Sequence, residues 1–259
     1  MSRSLVCFHA HPDDEALLTA GTLARAVAEG HRVTLVVATD GEAGLAANGP
    51  GRALASQRIG ELERSATALG VHRIVRLGYP DSGLANEHAG FATLDPSEPA
   101  ERLTRVLAEE RADLLLGYDV NGGYGHPDHV QVHRVARAAA ARTGTRLLEA
   151  TVDRTALMRA LWIVYKARLA PPDFAPERMQ RAYTANADLT HKVNVRDFLD
   201  QKRASMRAHA SQAGGGSDTR TLAFCLKLPR PLYRLAFGNE WFVQPDRNRP
   251  GRLIDDIWA

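Results

Sequence analysis

Ser4-Leu5-Val6-Cys7-Phe8-His9-Ala10-His11-Pro12-Asp13-Asp14-Glu15, residues 4–15, decides how the rest of the chain is read. Its first five residues are a short, mostly apolar run that fits a buried strand, and residues 16–29 behind the polar cluster carry apolar side chains at helical spacing. His11, Asp13, Asp14 and Glu15 therefore fall on a strand-to-helix turn. In an open parallel sheet such turns lie at the carboxyl ends of the strands, where ligands bind. Four ionisable side chains in five positions exceed what a chain reversal needs. The turn is expected to use its charge.

Outward from this stretch the pattern repeats. Residues 31–39 are a β-branched run suited to a second buried strand. A polar turn with Gly41 and Gly44 follows, then a loop over 45–54 and a helix over 55–69, stopped by Gly70. A third strand at 73–77 leads to a turn with Asp81 at its tip, and a long loop is expected over 84–96. A helix over 98–111 and a fourth strand over 112–118 precede the second unusual stretch, Asp119-Val120-Asn121-Gly122-Gly123-Tyr124-Gly125-His126-Pro127-Asp128-His129. A helix over 130–142 and a fifth strand over 146–152 complete the alternation. This order predicts an α/β fold with a mostly parallel sheet and helices on both faces, so that both histidine-rich turns open on one edge.

Beyond Asp153 the pattern predicts a helix over 154–169 ended by Pro171-Pro172, a connection over 170–182, a strand over 187–195 and a helix over 196–209. A flexible Gly214-Gly215-Gly216 follows, then strand-like runs over 222–228 and 240–243. The expected organisation is a metal-binding core, 1–153, with an appended C-terminal α+β part, 154–259, packing on it as one structural unit. Loops 41–54, 80–96 and 154–182 are expected to shape the pocket.

With 259 residues, 44% hydrophobic and 24% charged, the chain can bury a real core. No apolar run approaches a membrane span and no leader pattern opens the chain, so a cytoplasmic location is expected. Cys7 and Cys225 are too few for a disulfide framework and read as small core residues. A net charge of +3 without basic blocks gives no reason to expect a nucleic-acid partner. A homo-oligomer is compatible with all of this.

Divalent metals take neutral imidazole and carboxylate ligands that converge from different parts of a fold. His11 and Asp14, with His129, would supply two nitrogens and one oxygen and leave a coordination position for water, as in catalytic zinc sites. Zinc lowers the pKa of such a water to about 7. Asp13 beside the ligands can then act as general base. His126 can face the opposite side of the substrate and, as imidazolium, stabilise an oxyanion or protonate a departing nitrogen. Asp128 is the candidate to orient one of these histidines. Tyr124, on a glycine-flanked segment, can donate to the oxyanion. Glu15 most simply begins a helix.

Blander readings apply elsewhere. His9 reads as a core histidine or one that supports a ligand. His31, His72, His88, His133, His191 and His209 read as surface or packing residues, and Arg58 with Glu61 as a solvated helix pair. Two histidines and a carboxylate also match the Fe(II) site of non-haem oxygenases, but those usually occupy all-β barrels. A sugar-binding protein without hydrolysis is the remaining alternative.

Ala10-His11-Pro12-Asp13-Asp14-Glu15 together with His126-Pro127-Asp128-His129 resembles the PIG-L/LmbE family of metal-dependent N-deacetylases. Arg58-x-x-Glu61-Leu62, Asp81-Ser82-Gly83 and Lys202-x-x-x-Met206-x-Ala208-His209-x-Ser211-Gln212 recur in the same order. The resemblance implies a Rossmann-like three-layer sandwich and removal of an acetyl group from an N-acetylglucosamine-type sugar or glycoconjugate. It implies Zn2+ as cofactor, with Fe2+ suiting the same ligands. By position it gives His11, Asp14 and His129 as metal ligands, Asp13 as base and His126 as electrophilic partner. Residues 121–125 resemble the branch acting on the glucosaminyl-inositol precursor of mycothiol or on mycothiol conjugates, in which residues matching Arg58 and Asp81 lie near the substrate.

Overall fold

The computed structural model describes residues 1–44, 50–84, 89–166, 168, 176–213, 222 and 225–259. Its strands are β1 (Ser4–His9), β2 (Arg32–Thr39), β3 (Arg73–Tyr79), β4 (Leu114–Tyr118), β5 (Arg146–Thr151), β6 (His191–Asn194) and β7 (Asn239–Val243). They form one sheet in the order β3-β2-β1-β4-β5-β7-β6. The first five run parallel; β7 is antiparallel to both β5 and β6. This is the expected mostly parallel α/β sheet, with the C-terminal strands extending it at one edge.

The helices are α1 (Asp14–Leu18), α2 (Ala20–Ala28), α3 (Arg52–Leu69), α4 (Ser97–Glu110), α5 (Pro127–Thr143), α6 (Arg154–Lys166), α7 (Leu199–Ala208) and α8 (Arg230–Phe237). All six residues of β1 are buried, because both faces of the sheet are covered. Val6 and Phe8 point into a core with Leu103, Val132 and Val135 of α4 and α5. Leu5 and Cys7, alternating with them, point into a second core with Leu23 and Leu62 of α2 and α3. Among the described residues, no helix is long and apolar enough to cross a membrane.

The order 3-2-1-4-5 reverses direction between β1 and β4, so their connections leave toward opposite sides and a crevice opens between the two exits. Leu5 lies beside Leu114 and Cys7 beside Leu116. That register brings the His11 and His129 turns to the same edge.

Several boundaries differ from the sequence expectation, each for a physical reason. The single helix expected over 16–29 breaks at Thr19, which is fully buried and whose Oγ1 lies 2.9 Å from His9 Nε2. The break exposes polar backbone inside the fold, and a remote ion pair meets it. Glu240 of β7 accepts hydrogen bonds from the Gly21 and Thr22 amides at the start of α2, and Lys202 Nζ donates to Leu17 O at 2.7 Å and to Glu240. Residues 225–227, expected as strand, are helical, with Cys225 packed against Met206 and Tyr233 in a third apolar cluster. A short apolar run cannot by itself distinguish the two. The loop over 84–96 contains a 3₁₀ turn at Phe91–Thr93 whose phenylalanine is fully buried. Pro171-Pro172, His88 and Gly214–216 lie outside the described residues.

Lys202 and Glu240 are 1% and 2% exposed. Removing one member of such a pair strands a buried charge, which costs about 3–5 kcal/mol. Lys202→Met is therefore expected to lower urea-unfolding stability by about that amount, and Lys202→Met with Glu240→Gln to recover part of it. A single variant as stable as the parent would show that the pair does not support the α1–α2 break.

Candidate metal-centred active site

Each turn presents its side chains through a specific backbone device. Asp13 precedes α1 with a left-handed backbone, φ 106°. For a residue other than glycine this stores about 1–3 kcal/mol and must be held by its surroundings. Arg58 reaches it from α3, donating to Pro12 O at 2.6 Å and to Gly41 O at 2.9 Å and pairing with Asp13 Oδ1 at 3.2 Å. At the second turn, His126 caps α5 and accepts the Asp128 amide on Nδ1 at 3.2 Å, with Pro127 at the first helical position. Since Nδ1 accepts, the neutral ring carries its proton on Nε2.

The two turns converge. His11 Nδ1 lies 3.4 Å from Asp14 Oδ2, and His129 Nε2 lies 3.3 Å from Asp14 Oδ1. His11 Nε2 is 3.2 Å from Asp128 Oδ2 and 3.5 Å from Asp81 Oδ1. Ring nitrogens of His11, His126 and His129 all lie within 4.8 Å of one another, as do donor atoms of His11, Asp81, His126 and Asp128. Asp14 stands in neither of these sets; it places one oxygen against each of His11 and His129. Tyr118, at the end of β4, stacks on His129 with centroids 4.3 Å apart and 4° between planes. Its hydroxyl lies 3.0 Å from His9 Nδ1. His9 is thus a buried support behind the centre.

Charge in the cluster is unbalanced toward the negative. Burial disfavours a charged His11, but Asp81 and the hydrogen bonds to Asp128 and Asp14 outweigh it and hold the imidazole well above its ordinary pKa. Burial likewise opposes ionisation of Asp14, yet His129 and His11 keep it well below the usual carboxylate range. Burial pushes the Asp13 carboxyl up to about 6 against the pull of Arg58. Burial, with His11 and His129 nearby, lowers His126 to about 3, so the ring is neutral.

Four carboxylates, Asp13, Asp14, Asp81 and Asp128, thus face Arg58 as the one permanently charged cation among the residues described at the centre. A buried excess of this kind calls for a cation. His129 Nδ1 and Asp128 Oδ1 are buried without a hydrogen-bond partner, and His129 Nε2 meets Asp14 Oδ1 at 3.3 Å. Nitrogen and oxygen donors with orphaned atoms fit a divalent metal.

Every residue expected at the site from the sequence lies in or beside this cluster. Tyr124 is at its rim, 39% exposed, with its ring 5.1 Å from His129 and 6.1 Å from His126. Arg58 and Glu61 are not a solvated pair; both are buried, and Glu61 accepts from the Ser211 amide and hydroxyl at 2.8 and 2.6 Å. His209 is fully buried against Glu15, and His133 and His191 are also buried.

Sequence reading missed Tyr118, Glu42 and Tyr183. Glu42 accepts the Asp81 amide at 2.9 Å. Tyr183 has a left-handed backbone, φ 57°, with its amide donating to Gly123 O at 2.7 Å and its carbonyl accepting from Asn121 at 2.8 Å. A Cβ on Gly123, φ 64°, would lie 3.3 Å from the Tyr183 ring and 3.9 Å from His129 Nδ1. The glycine lets that loop pass between them. Tyr118 and Glu42 lie at the exits of β4 and β2, which is the signal the sequence offered for them; Tyr183 carried none.

Comparison with known proteins follows the same outline. The family model described as PIG-L, GlcNAc-PI de-N-acetylase, matches residues 6–140. A 1D-myo-inositol 2-acetamido-2-deoxy-alpha-D-glucopyranoside deacetylase from Saccharomonospora viridis is 40% identical over 242 residues, covering 86% of this chain and 90% of the relative. The N,N'-diacetylchitobiose deacetylase of Pyrococcus horikoshii superimposes with a TM-score of 0.60 at 23% identity, covering 93% of this chain and 83% of that one. The 4-carboxy-2-hydroxymuconate hydratase GalB of Pseudomonas putida KT2440 has the same fold, TM-score 0.62 at 15% identity, covering 97% and 99%. With both histidine-bearing turns inside the matched segment, or within its span, and most of the chain aligned to such a relative, this protein belongs to the PIG-L family.

Proposed function

We propose that the chain is a metal-dependent amide hydrolase that removes the N-acetyl group from an N-acetylglucosamine-type sugar or glycoconjugate. The observation carrying this reading is a buried cluster of three imidazoles at the sheet's reversal point, with Asp13, its backbone held in the left-handed region, on the same turn as His11. His11, Asp14 and His129 would hold the ion, zinc by preference and Fe2+ with the same donors. Bound there, such an ion activates water and polarises a carbonyl. The relative at 40% identity supports an acetamido sugar as substrate.

The chain's own groups divide the remaining work. Asp13, oriented by Arg58, accepts the proton of the attacking water and returns it to the nitrogen as the C–N bond breaks, leaving amine and acetate. His126, neutral with Nδ1 engaged by the Asp128 amide, donates its Nε2 proton as a hydrogen bond to the developing oxyanion. The tautomer that serves this role replaces the imidazolium expected from sequence. Tyr124 at the rim supplies a second donor. Asp128 holds His11 Nε2, which leaves Nδ1 turned toward Asp14. Asp81, 3.5 Å from His11, and Arg58, paired with Asp13, are the residues the family resemblance would set near the sugar.

A panel of N-acetylated glycosides, including the glucosaminyl-inositol type, assayed for free amine and acetate tests the reading directly. Asp13→Ala is expected to keep its metal and lose about 10²–10⁴-fold in kcat; full turnover in that variant would remove the base assignment. Dialysis against a chelator is expected to abolish acetate release and zinc or Fe2+ to restore it. Tight sugar binding with bound metal and no acetate from any glycoside would instead identify a binding protein.

A further inference from the structure

Asp13 has a left-handed φ of 106°, and its amide faces Glu15. It donates there to Glu15 Oε2 at 3.1 Å. The other Glu15 oxygen accepts from His209 Nε2 at 2.6 Å and from Ser65 Oγ at 2.5 Å. Glu15 and His209 are both 0% exposed. His209 directly follows α7, and the next turn is fastened to α3 through Ser211 and Glu61. Ser65 is in turn 2.7 Å from Ser205 of α7. The end of α7 is thereby locked onto the back of the first turn.

We propose that Glu15 and His209 are positioning residues for the general base. The pair forms a buried strut that holds the Asp13 amide from behind, as Arg58 holds the preceding carbonyl, and the two together maintain the backbone that sets the Asp13 carboxyl beside the imidazoles. This rests on the reading of Asp13 as base. A helix-starting role alone does not account for Glu15: its carboxylate is withdrawn from solvent and spent on one particular amide and one histidine 194 residues away. For packing alone, apolar side chains of similar volume would serve as well as a buried ion pair. Whatever disturbs the strut should change how well Asp13 takes a proton without changing what the metal ligands or the sugar pocket do.

The test is a double-mutant cycle on the metal-loaded full chain, with the cobalt(II)-substituted form read by its visible absorption spectrum. His209→Ala is expected to lower kcat about 10–100-fold with KM and the cobalt spectrum unchanged. His209→Gln, whose amide can stand where Nε2–H stood, is expected to restore most of the loss. In an Asp13→Ala background the His209→Ala change should reduce residual turnover no further, because the strut acts through Asp13. Equal losses in both backgrounds, an altered cobalt spectrum, or an unaffected kcat would overturn the proposal. Should His209→Ala not fold, Glu15→Asp, which keeps the charge and shortens the strut, must give the same kcat loss at constant KM or the proposal fails. A parent chain that releases no acetate from any glycoside overturns the deacetylase reading itself, whereas an active parent with indifferent strut variants overturns only the strut.

Discussion

Parallel pairing of β1 with β4 is the constraint from which the site follows. Those two strands sit where the sheet reverses its order, so no connection passes over the crevice between their exits. Each exit carries an incomplete set of donors: His11, Asp13 and Asp14 on one, His126, Asp128 and His129 on the other. The register that sets Leu5 beside Leu114 joins them. The same burial makes the turn's strain tolerable. β1 is covered on both faces by apolar side chains, each contributing about 1.5–3 kcal/mol when fully buried, against about 1–3 kcal/mol for the left-handed Asp13. A polar turn of this kind survives because it is mounted on a strand buried along its whole length.

Electrostatics then assigns the parts. A buried group of carboxylates with too few permanent cations is unstable unless positive charge is supplied, and within the chain itself His11 supplies it by remaining protonated between Asp14, Asp81 and Asp128. An ion bound among these groups would take over that role and release His11 to be a neutral ligand. His126 stays neutral in either circumstance, since its Nδ1 is engaged by the α5 backbone and its surroundings disfavour charge. One histidine would thus exchange its proton for an ion, while its neighbour, with Nδ1 engaged by the Asp128 amide, keeps its N–H on Nε2.

What was legible in the sequence was local. The two polar turns announced themselves because the proposed ligands and base are adjacent in the chain, and the alternation of strands and helices placed both turns on one edge. Long-range partners were not legible. Glu15 looked like an ordinary start to a helix and His209 like a surface or packing residue, since nothing in either neighbourhood states that they meet. The break at Thr19 was hidden because apolar spacing continues through it; the ion pair that meets the exposed backbone comes from Lys202 and Glu240. Arg58 and Glu61 sit at a spacing that usually faces water, and only tertiary contact shows that one steadies Asp13 and the other anchors Ser211.

A hydratase shares the fold with a TM-score of 0.62, so the sandwich by itself does not select amide hydrolysis. The selection lies in depth. His11, Asp81, His126, Asp128, His129, Glu15 and His209 are buried and Asp13 and Asp14 only partly exposed, which leaves little freedom to vary and suits a reaction that needs water, a carbonyl and a proton acceptor in fixed relation. Tyr124 and Tyr183 stand farther out, on backbone that requires positive φ at Gly122, Gly123 and Tyr183 itself. Beyond them α6 presents Ile163, Val164 and Tyr165 to solvent and buries none of its residues. The buried centre and these exposed residues therefore differ in how tightly their surroundings hold them. Tyr183 is tied to the Asn121–Gly123 loop by one backbone hydrogen bond and one from the Asn121 side chain, so this part can be remodelled while the buried centre keeps its geometry.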